Sequence, residues 1–135
     1  MNNSFSVFGF WFSVLGVDMI TSYKDLDVWK RAIELTKKMY LLTKEFPKEE
    51  IYGLVTQMRR CAVSVPSNIA EGKTRQYKNE YIQFLYIALG SCAELETQVV
   101  ISKEMSYLNK ENTDLLLEEL DHIGKMLRNL IKSLR

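Results

Sequence analysis

Apolar side chains recur at alternating steps of four and three residues in the first long amphipathic stretch of the chain. This spacing predicts a helix from Lys24 to Phe46 with the seven-residue repeat of helices that pack side by side. Its apolar positions are Val28, Ala32, Leu35, Met39, Leu42 and Phe46, with a second row at Leu26, Trp29, Ile33 and Tyr40. The second row makes the face wider than one neighbouring helix would cover, which indicates a subunit contact as well as a core contact. The helix should stop near Pro47, because the residue before a proline disfavours helical geometry.

The second predicted helix begins at Lys48 or Glu49 and contains a proline. Its apolar side consists of Ile51, Leu54, Val55, Met58, Cys61, Ala62, Val65 and Ile69. Pro66 lies inside this pattern and removes a backbone donor, so a kink or a break is expected there. Gly72 is interpreted as the C-terminal stop of the helix.

Two further helices follow from the same kind of spacing. The third begins between Thr74 and Asn79, runs to about Lys103, and has its stripe at Tyr77, Tyr81, Phe84, Leu85, Ala88, Cys92, Leu95 and Val99. Gly90 in its middle costs about 1 kcal/mol relative to alanine, so a close approach of two helices is expected to compensate. Asn109 is the expected N-cap of the fourth helix. The seam of that helix is Leu116, Leu120, Ile123, Leu127, Leu130 and Leu134.

Four amphipathic helices with short connections predict an all-α fold, an antiparallel up-down-up-down four-helix bundle. We assign it to residues 19–135 and place residues 1–18 outside it as a leader. Residues 5–17 are apolar and uncharged, without the positive region of a signal peptide and shorter than the roughly 18 residues of a membrane span. Either translation begins at Met19 and the leader is an upstream extension, or the leader is a weak membrane anchor.

The composition is typical of one ordinary domain and argues against several classes of function. The chain has 135 residues and a formal net charge of +1, so nucleic-acid binding would need a local basic patch rather than bulk charge. Cys61 and Cys92 are the only cysteines, each within an apolar stripe. We interpret them as free, buried thiols in a reducing cytoplasm, since a disulfide framework or a zinc site needs more cysteines or closer spacing.

The inventory of catalytic and metal-binding residues gives no support to an enzyme. A di-iron bundle needs Glu-x-x-His on two helices, but this chain has the spacing once, at Glu119 and His122, and has no other histidine. A symmetric oligomer could pair two copies of it. No histidine base accompanies the cysteines or serines, and no glycine-rich phosphate loop is present. Glu94 and Glu96 are two residues apart and face different sides of a helix, so they form no acid–base pair. We therefore expect no catalysis, cofactor, metal or small-molecule substrate.

One local basic cluster is a candidate nucleic-acid contact. Its members follow the second helix, the turn and the start of the third: Arg59, Arg60, Lys73, Arg75 and Lys78. Such side chains bind phosphates, and arginine can do so with two parallel hydrogen bonds. The alternative is structural: Arg59 and Arg60 would pair with Glu71, Glu94 or Glu96 inside the bundle or between subunits.

Four long motifs in this order resemble a known family, the four-helix-bundle proteins whose genes lie in intervening sequences of bacterial 23S ribosomal RNA. They are DLDVWKRAIEL (25–35), FPKEEIYGLVTQMRR (46–60), SVPSNIAEG (64–72) and FLYIALGSCAELETQ (84–98), and the resemblance covers Tyr23 to Leu134. It implies a bundle assembled as a ring-like homopentamer without known catalytic activity. It also implies kinship with accessory proteins of diversity-generating retroelements, which use a basic surface to engage reverse transcriptase and nucleic acid.

The motif residues that the resemblance carries over are expected mainly to hold the fold and the ring together. They are Trp29, Tyr52, Gly53, Gln57, Arg59, Arg60, Ser64, Pro66, Asn68, Glu71, Gly72, Arg75, Glu94 and Glu96. The family commonly has glycine and a capping serine before the third helix, where this chain has Thr74 and Tyr77, so Thr74 is expected to take over the cap. The family also starts close to Met19, which favours the late start.

The expected function is therefore that of a cytoplasmic homo-oligomer that binds structured RNA, a ribonucleoprotein or a reverse-transcriptase-like protein, and no membrane. The alternative is a structural or protein-binding scaffold without direct nucleic-acid contact.

Overall fold

The computed structural model describes residues 22–135, and within them all regular structure is helical, as the spacing predicts. The four long helices are α1 (Asp27–Thr43), α2 (Thr56–Lys73), α3 (Lys78–Glu104) and α4 (Lys110–Leu134). Short 3-10 turns at Tyr23–Asp25 and Lys48–Glu50 and a wide helical turn at Ile51–Val55 complete the secondary structure. The predicted leader, residues 1–18, lies outside the described residues, as do the next three positions.

The apolar stripes of all four helices meet in one core. Leu35 of α1, Met58 of α2, Leu85 of α3 and Leu120 of α4 are among its fully buried side chains. At the end of α4 the buried position is Ile131, whereas the predicted seam residues Leu130 and Leu134 are only partly buried. An α-helix has 3.6 residues per turn, so a strict seven-residue seam drifts away from the core unless the helix supercoils.

Pro66 does not interrupt α2, so the break predicted as one possibility at this position is wrong. The helix is continuous from Thr56 to Lys73 although Pro66 is buried inside it. Proline has no N–H, which leaves the carbonyl of Ala62, four residues earlier, without its helical donor. The Thr36 hydroxyl of α1 lies 3.2 Å from that carbonyl oxygen and donates to it, sharing its proton with the Ala32 carbonyl at 2.8 Å. The packing of α1 against α2 thus satisfies the group that the proline frees.

The interruption in the second helical segment lies instead at Gly53. Its backbone is non-helical, with φ −112° and ψ −110°, between the 3-10 turn and α2. The Glu50 carboxylate spans this point, accepting the Leu54 N–H at 3.3 Å and the Tyr107 hydroxyl at 2.9 Å. A Cβ on Gly53 would lie 2.8 Å from the Glu50 Oε1 atom. The missing side chain therefore lets the carboxylate reach the backbone and join the start of the segment to the α3–α4 turn.

Gly72 permits a close approach of α2 and α3 and is not the predicted helix stop. The helix continues to Lys73, and Gly72 is buried. A Cβ there would lie 2.8 Å from the Phe84 Cβ and 3.0 Å from the Tyr81 Cδ1 atom. The two helices therefore cross at a distance that only glycine allows.

Of the two predicted helix caps next to α3, the one at Thr74 is wrong and the one at Asn109 is confirmed. The Thr74 hydroxyl donates to the Glu71 carbonyl at the end of α2, and α3 begins after Tyr77 without a side-chain cap, so the role expected of Thr74 is wrong. Asn109 is confirmed as the N-cap of α4, since its side-chain oxygen accepts the Asn112 N–H at 2.7 Å.

α1 and α4 are joined by a two-pronged ion pair. Arg31 donates from Nε and Nη2 to the two carboxylate oxygens of Glu119, at 2.9 and 3.0 Å. The hydrogen bonds from the guanidinium lower the pKa of Glu119, and the same bonds raise the pKa of Arg31. The carboxylate of the single Glu-x-x-His sequence is thus engaged by Arg31.

Candidate nucleic-acid interface

The five predicted nucleic-acid contacts occupy two separate regions. Arg59 and Arg60 lie in the first half of α2, whereas Lys73, Arg75 and Lys78 surround the turn into α3. Arg60 and Lys73 are thirteen residues apart on one helix, about 20 Å along its axis. The structure therefore does not bring the five cations into one patch.

Arg59 is held by the C-terminal end of α1. Its Nε donates to the Thr43 hydroxyl at 2.9 Å, its Nη2 donates to the Tyr40 carbonyl at 3.3 Å, and its guanidinium lies 4.6 Å from the centre of the Tyr40 ring. A cation at this position also faces the negative end of the helix dipole. Arg59 thus packs α2 against α1, and its guanidinium is largely occupied by that contact.

Neither arginine forms the intrachain pairs that the structural alternative predicts with Glu71, Glu94 or Glu96. Glu71 accepts from Arg75 at 2.9 Å instead. Arg60 is exposed and forms no salt bridge within residues 22–135. Pairing within one chain is therefore wrong for the described part of the molecule, and pairing between subunits stays a prediction.

Small and polar motif residues form a hydrogen-bonded seam between α2 and α3. The Ser64 and Ser91 hydroxyl oxygens are 2.8 Å apart, and the Asn68 amide donates to the Ser64 hydroxyl at 2.9 Å and its carbonyl at 2.8 Å. Next to them the Cys61 thiol donates to the Glu94 carboxylate at 2.7 Å. Burial, together with this hydrogen bond, raises the pKa of Cys61 to about 12. These motif positions therefore join α2 to α3.

At the α2–α3 turn two cations lie over aromatic rings. The Lys73 Nζ is 5.8 Å from the centre of the Tyr81 ring, and the Arg75 guanidinium is 4.8 Å from that of Phe84. Arg75 also donates to Glu71 and remains exposed. Such contacts position cationic heads at the surface without neutralising them.

Lys78 and Tyr77 complete this surface, which we call the turn patch (residues 73–78). Lys78 is exposed and forms no salt bridge with any residue of the described chain. The Tyr77 side chain is 62% exposed. The sequence reasoning placed Tyr77 in the apolar stripe of the third helix and missed it as a surface residue. Its position between two cations, Arg75 and Lys78, is the signal that could have identified it.

The remaining motif residues lie elsewhere on the molecule. Trp29 is partly buried, makes an edge-on contact with Tyr23 at 5.4 Å between ring centres, and lines a groove of about 290 Å³ between α1 and α2. Tyr52 is 95% exposed, and Gln57 is also exposed. Glu96 is partly buried and contributes to a raised pKa of about 12 at Cys92, of which burial is the main cause.

The outward surface of α3 carries little charge, and we call it the α3 outer face. Its exposed positions are Gln83, Tyr86, Ile87, Gly90, Ala93, Glu94, Thr97, Val100 and Ile101. A Cβ on Gly90 would meet nothing within 4 Å, so the helix approach predicted at this glycine does not occur within the described chain. By length and composition alone α3 is apolar enough to cross a membrane, and only 28% of its most apolar window is buried.

His122, the single histidine of the chain, is exposed on α4. No group of three histidine, cysteine or acidic residues with the geometry of a metal site occurs between positions 22 and 135.

Comparison with known proteins gives a family and a fold. Residues 24–129 match the family model described as 23S rRNA-intervening sequence protein. The chain is also similar to a crystal structure of a protein of unknown function from the S23 ribosomal protein family of Bacteroides thetaiotaomicron. The TM-score is 0.72 at 23% sequence identity, covering 78% of this chain and 95% of that one. No curated protein matches the chain.

Proposed function

Because the chain belongs to the 23S rRNA-intervening sequence protein family, we propose that it is a non-enzymatic, cytoplasmic, homo-oligomeric four-helix bundle that binds structured RNA or a ribonucleoprotein. The observation that carries the proposal is the turn patch, where Lys73, Arg75 and Lys78 accompany an exposed tyrosine within six residues. The homopentamer implied by the family resemblance is part of the proposal.

The order of the contacts between helices supports an antiparallel up-down-up-down arrangement. Between α1 and α2, Thr36 contacts Ala62 and Thr43 contacts Arg59, so rising numbers on one helix meet falling numbers on the next. The same inverse order relates α2 to α3, in the pairs Ser64 with Ser91 and Met58 with Ser102. This topology would place the turn patch at one end of the bundle, where its cations can reach a large partner.

The chemistry of the turn patch fits unpaired nucleotides of a structured RNA. Sequence-tolerant binding of single strands combines cations that contact phosphates with aromatic rings on which bases stack. Lys78 offers the first function, with Lys73 beside it, and Tyr77 offers the second. A net charge of +1 gives one subunit little general affinity for RNA, but a ring presents one patch per subunit and multiplies a weak contact by avidity. Arg59 and Arg60 are not needed for this surface.

The second candidate is a protein-binding scaffold, for a reverse-transcriptase-like protein among others, without contact to nucleic acid. The α3 outer face favours it, because exposed apolar surface without charge is typical of protein interfaces. In this case the turn patch would be an ordinary solvated end of the bundle.

A comparison of charge-removal variants of the full chain distinguishes RNA binding from the scaffold function. We expect Lys73→Gln/Lys78→Gln to weaken binding of a fluorescein-labelled structured ribosomal RNA fragment, measured by anisotropy across salt concentrations. The slope of log affinity against log salt should become shallower, by roughly 0.7–0.9 for each phosphate that the variant no longer binds. The matched control Lys38→Gln/Lys132→Gln removes the same charge from exposed positions of α1 and α4 and should leave binding unchanged.

Two results would contradict the proposal. If the control weakens binding as much as the turn-patch variant, the RNA does not use the turn patch. If the unmodified protein binds no RNA even at low salt, the scaffold function replaces RNA binding.

A further inference from the structure

We propose that the α3 outer face and the adjoining exposed face of α2 form the contact between copies of this chain, with Arg60 of one copy opposite Glu94 of the next. The inference rests on the proposed homo-oligomer and names the surface that would build it. The occupant we commit to is a second copy of the same chain.

The distribution of surface charge separates α3 from its neighbours. Exposed positions of α1 and α4 carry a charged side chain at nearly every turn, among them Lys30, Glu34 and Lys38 on α1 and Asp114, Glu118, Asp121 and Lys125 on α4. From Gln83 to Ile101 the exposed positions of α3 include one ionised group, Glu94. Large apolar side chains accompany it: Tyr86 is 45% exposed and Ile87 48%. A surface helix in water normally has a charged outer face, so this one indicates a covered surface.

The neighbouring face of α2 continues the uncharged surface. Thr56, Arg60, Val63 and Ser67 are exposed at steps of four, three and four residues, which places them in one row along the helix. Arg60 is the only charge in this row, and it forms no salt bridge within residues 22–135.

Arg60 and Glu94 have opposite signs, and this argues for a second copy as the partner. They are the only charges that α2 and α3 themselves contribute to these exposed rows. The Cys61 thiol donates to one oxygen of Glu94 and leaves its charge in place, and the Arg135 guanidinium lies over the Tyr86 ring near one end of the α3 outer face. When the α3 outer face of one copy packs on the α2 face of the next, each buried charge can meet its complement without a charge from another protein. An unrelated partner would have to supply both a carboxylate for Arg60 and a cation for Glu94.

The surface extends over two neighbouring helices. Positions 83 to 101 span about 27 Å of helix, and two helices side by side are about 20 Å wide, a projected area of roughly 540 Å² that a copy would divide between its two neighbours in a ring. Gly90 lies in the middle of the face with open space around it, so the helix approach predicted for it can take place between copies.

Analytical ultracentrifugation of the full chain tests the surface. The unmodified protein should sediment as a multiple of 15.8 kDa. Ile87→Lys and Ile101→Lys should each reduce the mass to that of one chain while the far-ultraviolet circular dichroism spectrum stays helical. Leu115→Lys is the matched control, because Leu115 is 49% exposed on α4, away from the proposed contact, and should leave the assembly intact.

A charge exchange tests the pairing itself. Arg60→Glu and Glu94→Arg should each weaken assembly at least tenfold when measured alone, because like charges then face each other. The double variant Arg60→Glu/Glu94→Arg should assemble again, because the glutamate introduced into each copy then faces the arginine introduced into the next at every contact of the ring. A double variant that stays dissociated while folded would contradict the pairing.

The outcomes separate this inference from the proposed function. If the unmodified protein assembles and the Ile87→Lys and Ile101→Lys variants assemble equally well, the proposed location of the interface is wrong. The homo-oligomer itself is not contradicted by that result. A monomeric unmodified protein overturns both the oligomer and the interface. If that monomer binds phosphatidylcholine vesicles through α3, the face serves a membrane and not a second copy.

Discussion

Replacing Gly72 by alanine should destabilise the protein, although alanine favours helices. The new Cβ would lie 2.8 Å from the Phe84 Cβ and 3.2 Å from the Tyr81 carbonyl oxygen, against about 3.5–4.0 Å for relaxed carbon contacts. One of these atoms is backbone and the other is fixed to it, so α2 and α3 must move apart. Overpacking of this kind costs about 1–3 kcal/mol, and helix propensity returns at most about 1 kcal/mol. With the full propensity gain subtracted, we expect a net decrease of up to about 2 kcal/mol in the free energy of unfolding.

Gly124→Ala is the matched control, since Gly124 is also a buried glycine inside a helix. A Cβ there would make ordinary contacts, 3.5 Å to the Arg128 Nη1 and 3.7 Å to the Leu89 Cδ1 atom, so propensity should stabilise this variant by up to about 1 kcal/mol. Urea unfolding followed by circular dichroism, at equal protein concentrations, measures both. A Gly72→Ala protein as stable as Gly124→Ala would refute the close approach of α2 and α3.

Three further predictions follow from particular contacts. Arg31→Gln should lower the free energy of unfolding by about 1 kcal/mol at neutral pH. Because Glu119 has a lowered pKa in the folded state, its stabilising contribution is present above its unfolded pKa. The difference from the unmodified protein should therefore fade as the pH falls through the folded pKa, and a carbon-13 NMR titration should show the Glu119 pKa rising in the variant. Cys61 and Cys92, with pKa values raised from 9.0 to about 12, have a roughly thousandfold smaller thiolate fraction at pH 8, so thiol-specific dyes should label them quickly only in urea; fast labelling of the folded protein would contradict their burial. Thr36→Val should cost about 1–3 kcal/mol in urea unfolding, because it leaves the carbonyl freed by the proline without a donor, and an unchanged stability would show that this hydrogen bond is dispensable.

The fold was predictable where spacing alone decides it. The apolar rows place most core residues of α1 and α4 correctly, and Asn109 identifies the start of α4 because a side chain caps its own backbone locally. The Gly53 and Gly72 roles were not predictable, since both depend on what lies opposite in space. The same holds for Pro66, whose missing donor is compensated by Thr36 on another helix.

The candidate site shows the same limit. Five cations close in sequence suggested one patch. Because a helix has 3.6 residues per turn, the neighbouring residues Arg59 and Arg60 point in different directions, Arg59 towards α1 and Arg60 outwards. Arg60 is also about 20 Å from Lys73 along the helix. The small number of charged residues on α3 is visible in the sequence. Only the packed structure shows which of these positions the core leaves exposed, and therefore that the uncharged surface faces outwards.

The central claim, that this family member binds structured RNA, is tested most directly by the salt dependence of binding for the unmodified full chain. Anisotropy titrations of a structured ribosomal RNA fragment should show binding at low salt that weakens linearly on a log–log scale as salt rises, with several phosphate contacts in the slope. Absence of binding at the lowest salt, from protein whose circular dichroism shows it folded, would contradict the claim.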